Sequence, residues 1–138
     1  MTARSVERAR ATRVVSPCDR QTSLIDATVA EISRERLWEK VRAGEPLVLV
    51  DALSPIAFAG AHLPGAINIT PDRVDTLAER RIPDRDAEVV VYCANPDCVS
   101  SVTVAAKLVE LGYTNVLHFA GGKQEWRDAG LPLEGGRV

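Results

Sequence analysis

From about Ala27 onward, short apolar runs alternate with stretches in which apolar residues recur every three or four positions. This switching between strand-like and helix-like periods is what βαβ units produce, and it predicts an α/β fold built on a parallel sheet. Five runs read as strands: Thr28–Ile32 at an edge, Leu47–Val50, Ala66–Ile69, Val89–Tyr92 and Asn115–Phe119. The run Leu47–Val50 lies between Pro46 and Asp51 and holds no polar residue, so it is expected to be covered on both faces and to lie centrally.

Helices fill the intervals. Ser33 can N-cap a helix carrying Leu37, Trp38 and Val41 on one side, with Gly44 ending it. A single turn is expected around Ile56–Ala59, and Pro71 with Asp72 opens a helix through about Arg80. Ser100 or Ser101 can cap a helix that buries Val104, Leu108 and Leu111 before Gly112. Gly121-Gly122 turns the chain into a last helix with Trp126 on its inner face, ended by Gly130 and Pro132.

Composition narrows the possibilities. At 138 residues, 46% of them hydrophobic, the chain suits a single core. Its formal charge of -2, from 17 basic and 19 acidic residues, offers no electrostatic reason to expect nucleic acid or a membrane as partner. Residues 1–26 hold Arg4, Arg8, Arg10, Arg13 and Arg20 but no apolar stretch long enough for a signal peptide or a span. They read as a flexible tail before a domain at 27–138, with a transit peptide or a mis-assigned start as alternatives. Three cysteines, Cys18 in the tail and Cys93 and Cys98 in one loop, do not make a disulfide framework, and a reducing cytoplasm is the expected location.

Cys93 carries the candidate chemistry. It closes the run Val89–Tyr92 and opens the loop Cys93–Ser101, which feeds a helix. A thiol where a strand gives way to a helix N-terminus meets unpaired N–H donors and the positive end of the helix dipole, a setting that favours thiolate. Cys98 has two readings, as a small hydrophobe anchoring the loop or as a resolving thiol for a persulfide or sulfenate on Cys93. With only two histidines, His62 and His118, neither a metal nor a cofactor is expected, and both histidines read as packing residues.

The segments LVLVDA, AHLPGAINI, VVVYC, AAKLVELGYTNVLHFAGGKQEW and AGLPLEG resemble a single-domain rhodanese in order and spacing over about Leu24 to Gly135. The resemblance implies a rhodanese-like fold, a central five-stranded parallel sheet with helices on both faces. It also implies a sulfurtransferase that holds a sulfane sulfur as a persulfide on Cys93. The donor would be thiosulfate or a persulfide and the acceptor a thiol or cyanide. The substrate-binding loop would comprise Ala94, Asn95, Asp97, Cys98, Val99, Ser100 and Ser101, with Asp51 and His62 as structural support.

The chain departs from that family in two places. The usual loop glycine and arginine are absent, and Pro96 removes one N–H donor from the cradle. Asp97 would repel an anionic donor if it pointed inward, and would cap a turn if it faced solvent. The family's arginine two residues beyond Asp51 is replaced by Leu53. Four functions therefore stand: sulfurtransfer, dithiol redox chemistry at Cys93 and Cys98, phosphatase or arsenate-reductase chemistry, and a non-catalytic binding domain. The missing arginine argues against the third, because bidentate phosphate recognition relies on it. The oligomeric state is open.

Overall fold

The computed structural model describes residues 29–135, so the expected tail at 1–26 and Cys18 lie outside the described residues. Five parallel strands form one sheet in the order β1-β5-β4-β2-β3. They are β1 (Ala30–Glu31), β2 (Val48–Asp51), β3 (Ile67–Asn68), β4 (Glu88–Tyr92) and β5 (Asn115–His118). The helices are α1 (Arg34–Ala43), α2 (Pro55–Gly60), α3 (Val74–Arg81), α4 (Ser100–Glu110) and α5 (Gly122–Asp128), with a 3-10 turn at Pro71–Arg73 before α3.

β2 is an interior strand but not the central one; that place belongs to β4, which pairs with both β2 and β5. Pairing decides this: Val89, Val90, Val91 and Tyr92 of β4 are all fully buried, whereas Val48 of β2 is only half-buried.

The two-residue period of β4 divides the core. Val89, Val91 and Cys93 pack with Val74, Ala78, Val104 and Leu108, on the face covered by α3 and α4. Val90 and Tyr92 pack with Leu37, Phe119 and Trp126, on the face covered by α1 and α5. Cys93 continues the α4-facing row one position past the end of its strand.

Local signals explain the helix ends. The Ser33 hydroxyl accepts from Arg36 N–H at 3.1 Å, and Gly44 takes the left-handed conformation that closes α1. The Ser54 hydroxyl likewise accepts from Ala57 N–H at 3.2 Å at the start of α2. At α4 the expected serine cap does not form. Val99 is the N-cap residue and supplies no side-chain acceptor, while Ser100 and Ser101 lie inside the first turn.

Candidate active site

The site lies at the C-terminal edge of the sheet, where parallel strands present their last residues and where open α/β sheets generally place their ligands. Beyond the strands, each carbonyl at the end of β4 receives a donor from a different element. Phe119 N–H donates to Val91 O at 3.0 Å and Ala52 N–H to Tyr92 O at 3.0 Å. Lys123 and Gln124 N–H, from the first turn of α5, donate to Cys93 O and Ala94 O, each at 2.8 Å. The backbone entering the loop is thereby held from both neighbouring strands and from a helix start.

Gly122 makes that docking sterically feasible. Its φ is +66°, and a Cβ built on it would stand 2.5 Å from Cys93 O and 2.9 Å from the Ala94 carbonyl carbon. Only glycine satisfies both the left-handed backbone and the close approach.

Beyond Ala94 the loop folds on itself. The Asn95 side chain accepts from Asp97 N–H at 3.0 Å, and Asn95 O accepts from Cys98 N–H at 3.1 Å. Pro96 and Asp97 are exposed, and Asp97 faces solvent rather than the thiol. Val99 is 70% exposed on the outer wall of the loop. Ala94, Asn95, Cys98 and Ser100 are half-buried, and Ser101 is buried.

Cys93 is only 2% exposed, and its sulfur lies 3.2 Å from Ser101 Oγ and 3.4 Å from Cys98 O. Burial raises the Cys93 thiol pKa, and the adjoining Cys98 thiol raises it further. The Ser101 hydroxyl and N–H pull in the opposite direction but do not reverse the shift. Cys98 shows the reverse balance: its partial burial is outweighed by hydrogen bonds from Cys93 and from the Ala94 and Ser100 amides, and its pKa falls. The amides expected around Cys93 alone are therefore divided between two sulfurs, and the balance at Cys93 favours the proton staying on sulfur. Both cysteines are free, and Cys98 also packs against the α3/α4-face core.

Ser101 connects Cys93 to a residue that the sequence did not single out for chemistry. Its hydroxyl lies 2.8 Å from His118 Nε2, at the end of β5. β5 runs beside β4 with His118 opposite Val91, so His118 points to the α4 face, as Val91 and Cys93 do. A histidine at the C-terminal end of a predicted parallel strand was the available signal, since that edge gathers the site residues. Burial lowers the His118 pKa, and Glu31 on the neighbouring strand β1 partly opposes this.

Behind the loop, the Asp51 carboxylate is fully buried. It accepts from Leu53 N–H at 2.9 Å and from the Tyr92 hydroxyl at 2.8 Å, and the Tyr92 oxygen accepts from Leu63 N–H at 3.0 Å. Lys123 Nζ approaches Asp51 to 4.0 Å and donates to Ala57 O at 3.1 Å. Burial raises the Asp51 pKa and lowers that of Lys123, while each charge favours the other. The cation beside the buried carboxylate is thus a lysine from the far end of the described chain. His62 stacks on Phe58 at 3.9 Å between ring centroids, with Nδ1 2.7 Å from Phe58 O, and its backbone bridges to Glu134. These contacts tie α2 to the C-terminal segment.

No lysine or arginine occurs between Cys93 and Ser101. A shallow cleft beside Pro96 contains Arg34, whose guanidinium is already engaged by Glu35 at 2.8 Å and Glu125 at 3.5 Å. Among the described residues, no group of three or more His, Cys, Asp or Glu is placed to hold a metal ion. Nor is any described helix long and apolar enough to cross a membrane.

A parallel α/β sheet with a cysteine opening the loop between its central strand and the next helix defines a class of thiol-bearing domains. Residues 33–129 match the rhodanese-like domain family, and the chain belongs to it. It is 36% identical over 104 residues to the thiosulfate sulfurtransferase GlpE of Haemophilus influenzae, covering 75% of this chain and 93% of that protein. It is 32% identical over 105 residues to a sulfurtransferase of Allochromatium vinosum, covering 76% and 94% respectively. Among solved structures, the BH2092 protein of Bacillus halodurans superposes with a TM-score of 0.72 at 25% identity, over 87% of each chain.

Proposed function

We propose that the protein is a sulfurtransferase that carries a sulfane sulfur as a persulfide on Cys93. The observation that carries this reading is the position of Cys93, one residue beyond the central strand, with its thiol donating to the Ser101 hydroxyl oxygen at 3.2 Å and the Ser101 N–H directed at its sulfur. In the first half-reaction the Cys93 sulfur attacks the outer sulfur of thiosulfate or of a persulfide and expels sulfite or a thiolate. In the second, a thiol or cyanide takes the outer sulfur and Cys93 is restored. N–H groups at the start of α4 stabilise the anionic persulfide, as an anion-binding nest does.

The same geometry sets the donor preference. Cys93 is buried, so a donor reaches its sulfur only when the packing around it opens. With no cation in the loop, dianionic thiosulfate is held less well than a persulfide of lower charge. Thiocyanate formation from thiosulfate and cyanide, compared with sulfur transfer from a small-molecule persulfide to a thiol, tests this. Both activities should vanish in Cys93→Ser, and the persulfide should be the faster donor. Full activity in Cys93→Ser would overturn the proposal.

A second reading rests on the adjoining Cys98 sulfur. As thiolate, Cys98 would attack the inner sulfur of a Cys93 persulfide, forming a Cys93–Cys98 disulfide and expelling hydrosulfide. Sulfide release that stops after one turnover and requires Cys98 marks this route. Continued turnover in Cys98→Ala marks plain sulfurtransfer.

A further inference from the structure

We infer that His118, acting through the Ser101 hydroxyl, is the group that accepts the Cys93 thiol proton when the sulfur becomes a nucleophile. This rests on the sulfurtransfer reading above and deepens it. Three side chains from three elements form one hydrogen-bonded chain: Cys93 Sγ to Ser101 Oγ at 3.2 Å, and Ser101 Oγ to His118 Nε2 at 2.8 Å.

Ser101 is 1% exposed, and a hydroxyl that deeply buried requires partners; here they are the thiol on one side and the imidazole on the other. A thiol donating to Oγ leaves the serine hydrogen to donate to Nε2, which fixes the neutral tautomer with its proton on Nδ1. The thiol hydrogen has a second acceptor in Cys98 O at 3.4 Å, and along the shorter 3.2 Å contact to Ser101 Oγ the proton source stands at one end and the acceptor at the other.

The contact chain gives the thiol proton a path off the sulfur, and burial, which pushes the Cys93 pKa up, favours its leaving as the S–S bond forms. Among the described residues, the titratable groups around His118 are Glu31, opposite it on β1, and Cys93, reached through Ser101 with Cys98 beside it. Burial keeps the imidazole neutral near pH 7 and therefore able to accept, while Glu31 favours the imidazolium that results.

The step balances. Cys93–SH, neutral His118 and thiosulfate give Cys93–S–S⁻, sulfite and His118–H⁺, and the two sides carry the same charge. As the S–S bond forms to Cys93, the S–S bond of thiosulfate breaks with its electron pair on sulfite. The thiol proton passes to Ser101 Oγ as the serine hydrogen moves to Nε2. When an acceptor thiolate removes the outer sulfur, the proton returns along the same chain to Cys93.

Alkylation of Cys93 by iodoacetamide tests the relay without any sulfur donor. Cys18→Ser and Cys98→Ala serve as the background, so that Cys93 is the only thiol read. Between about pH 5 and pH 8, where a histidine changes charge, the rate should rise in a step that follows His118. His118→Gln keeps a hydrogen-bonding side chain without a titrating group, and Ser101→Ala cuts the chain at its middle. Each should abolish the step and lower the rate at neutral pH by about tenfold or more, and the double variant should be no slower than either single one.

Profiles of His118→Gln and wild type that superimpose would overturn the inference. If His118→Gln does not fold, the wild-type imidazole titration by NMR replaces it: a midpoint coinciding with the alkylation step supports the relay, and a separate midpoint refutes it. The two proposals fail differently. Persulfide formation unaffected in His118→Gln leaves sulfurtransfer standing without the relay. A His118-dependent alkylation step in a protein that never takes up sulfur leaves the relay standing without sulfurtransfer.

Discussion

The carbonyl oxygen of Cys93 lies where the Cβ of any other residue at position 122 would have to stand, 2.5 Å from it. The loop that carries the thiol and the helix that follows the fifth strand are therefore docked backbone to backbone. Lys123 and Gln124 N–H groups complete the seal at 2.8 Å.

Gly122→Ala is accordingly expected to destabilise the fold by about 1–3 kcal/mol from backbone strain alone, with the clash against Cys93 O adding to it. Chemical denaturation measures the loss. Because the displaced atoms belong to Cys93 and Ala94, sulfur transfer per folded molecule should fall as well, whereas the similarly small change Ala43→Gly, in the exposed last turn of α1, should leave it unchanged.

Tyr92→Phe removes one hydroxyl from a fully buried position. Leu63 N–H then has no acceptor, and Asp51 loses one of its two close donors. Leaving buried groups unpaired costs about 1–3 kcal/mol, so the melting temperature should drop. The thiol site lies on the opposite face of the sheet, so the Cys93 alkylation rate of the folded variant should stay near wild type.

His118 also gives stability a pH dependence of defined sign. Its pKa in the folded protein lies below the unfolded value near 6.5, so the unfolded chain binds the proton more readily. The contribution is present above about pH 6.5 and is lost as the pH falls through the folded value. Asp51, with its pKa raised by burial, acts in the opposite direction, its contribution being lost as the pH rises through its own folded value. Melting curves of wild type and His118→Gln isolate the histidine, because Asp51 is common to both. Wild type should lose more stability than the variant between about pH 7 and pH 5.

Leu108→Ala opens a cavity beneath α4, where the leucine is fully buried. The cost should be about 2–5 kcal/mol, read by denaturant titration. α4 also carries Ser101, so its loosening should slow Cys93 alkylation in parallel with the loss of stability.

Much of this arrangement is legible in the chain because it is local. Ser33 and Gly44 bound α1 through a hydroxyl acceptor and a left-handed glycine, both set by residues next to one another. The five strands likewise follow from apolar runs. The centrality of β4 does not, because Leu47–Val50 and Val89–Tyr92 are equally apolar and only pairing decides between them.

The site was legible to the same extent. Cys93 stands out by its place at a strand end, but its proton affinity depends on burial, on the neighbouring Cys98 sulfur and on Ser101, which only the folded loop brings together. A helix start predicts converging amides; it does not predict that a second thiol takes some of them. His118 and Lys123 are remote in sequence from Cys93 and Asp51, so their roles appear only once β5 and α5 are placed beside β4 and β2.

Intact-mass analysis of the reduced protein after a single exposure to a sulfane-sulfur donor tests the central claim most directly, with peptide mapping to locate the change. One added sulfur on Cys93, retained in Cys98→Ala and absent in Cys93→Ser, is the predicted result. Added sulfur that persists in Cys93→Ser, or no uptake by wild type from either thiosulfate or a persulfide, would contradict it.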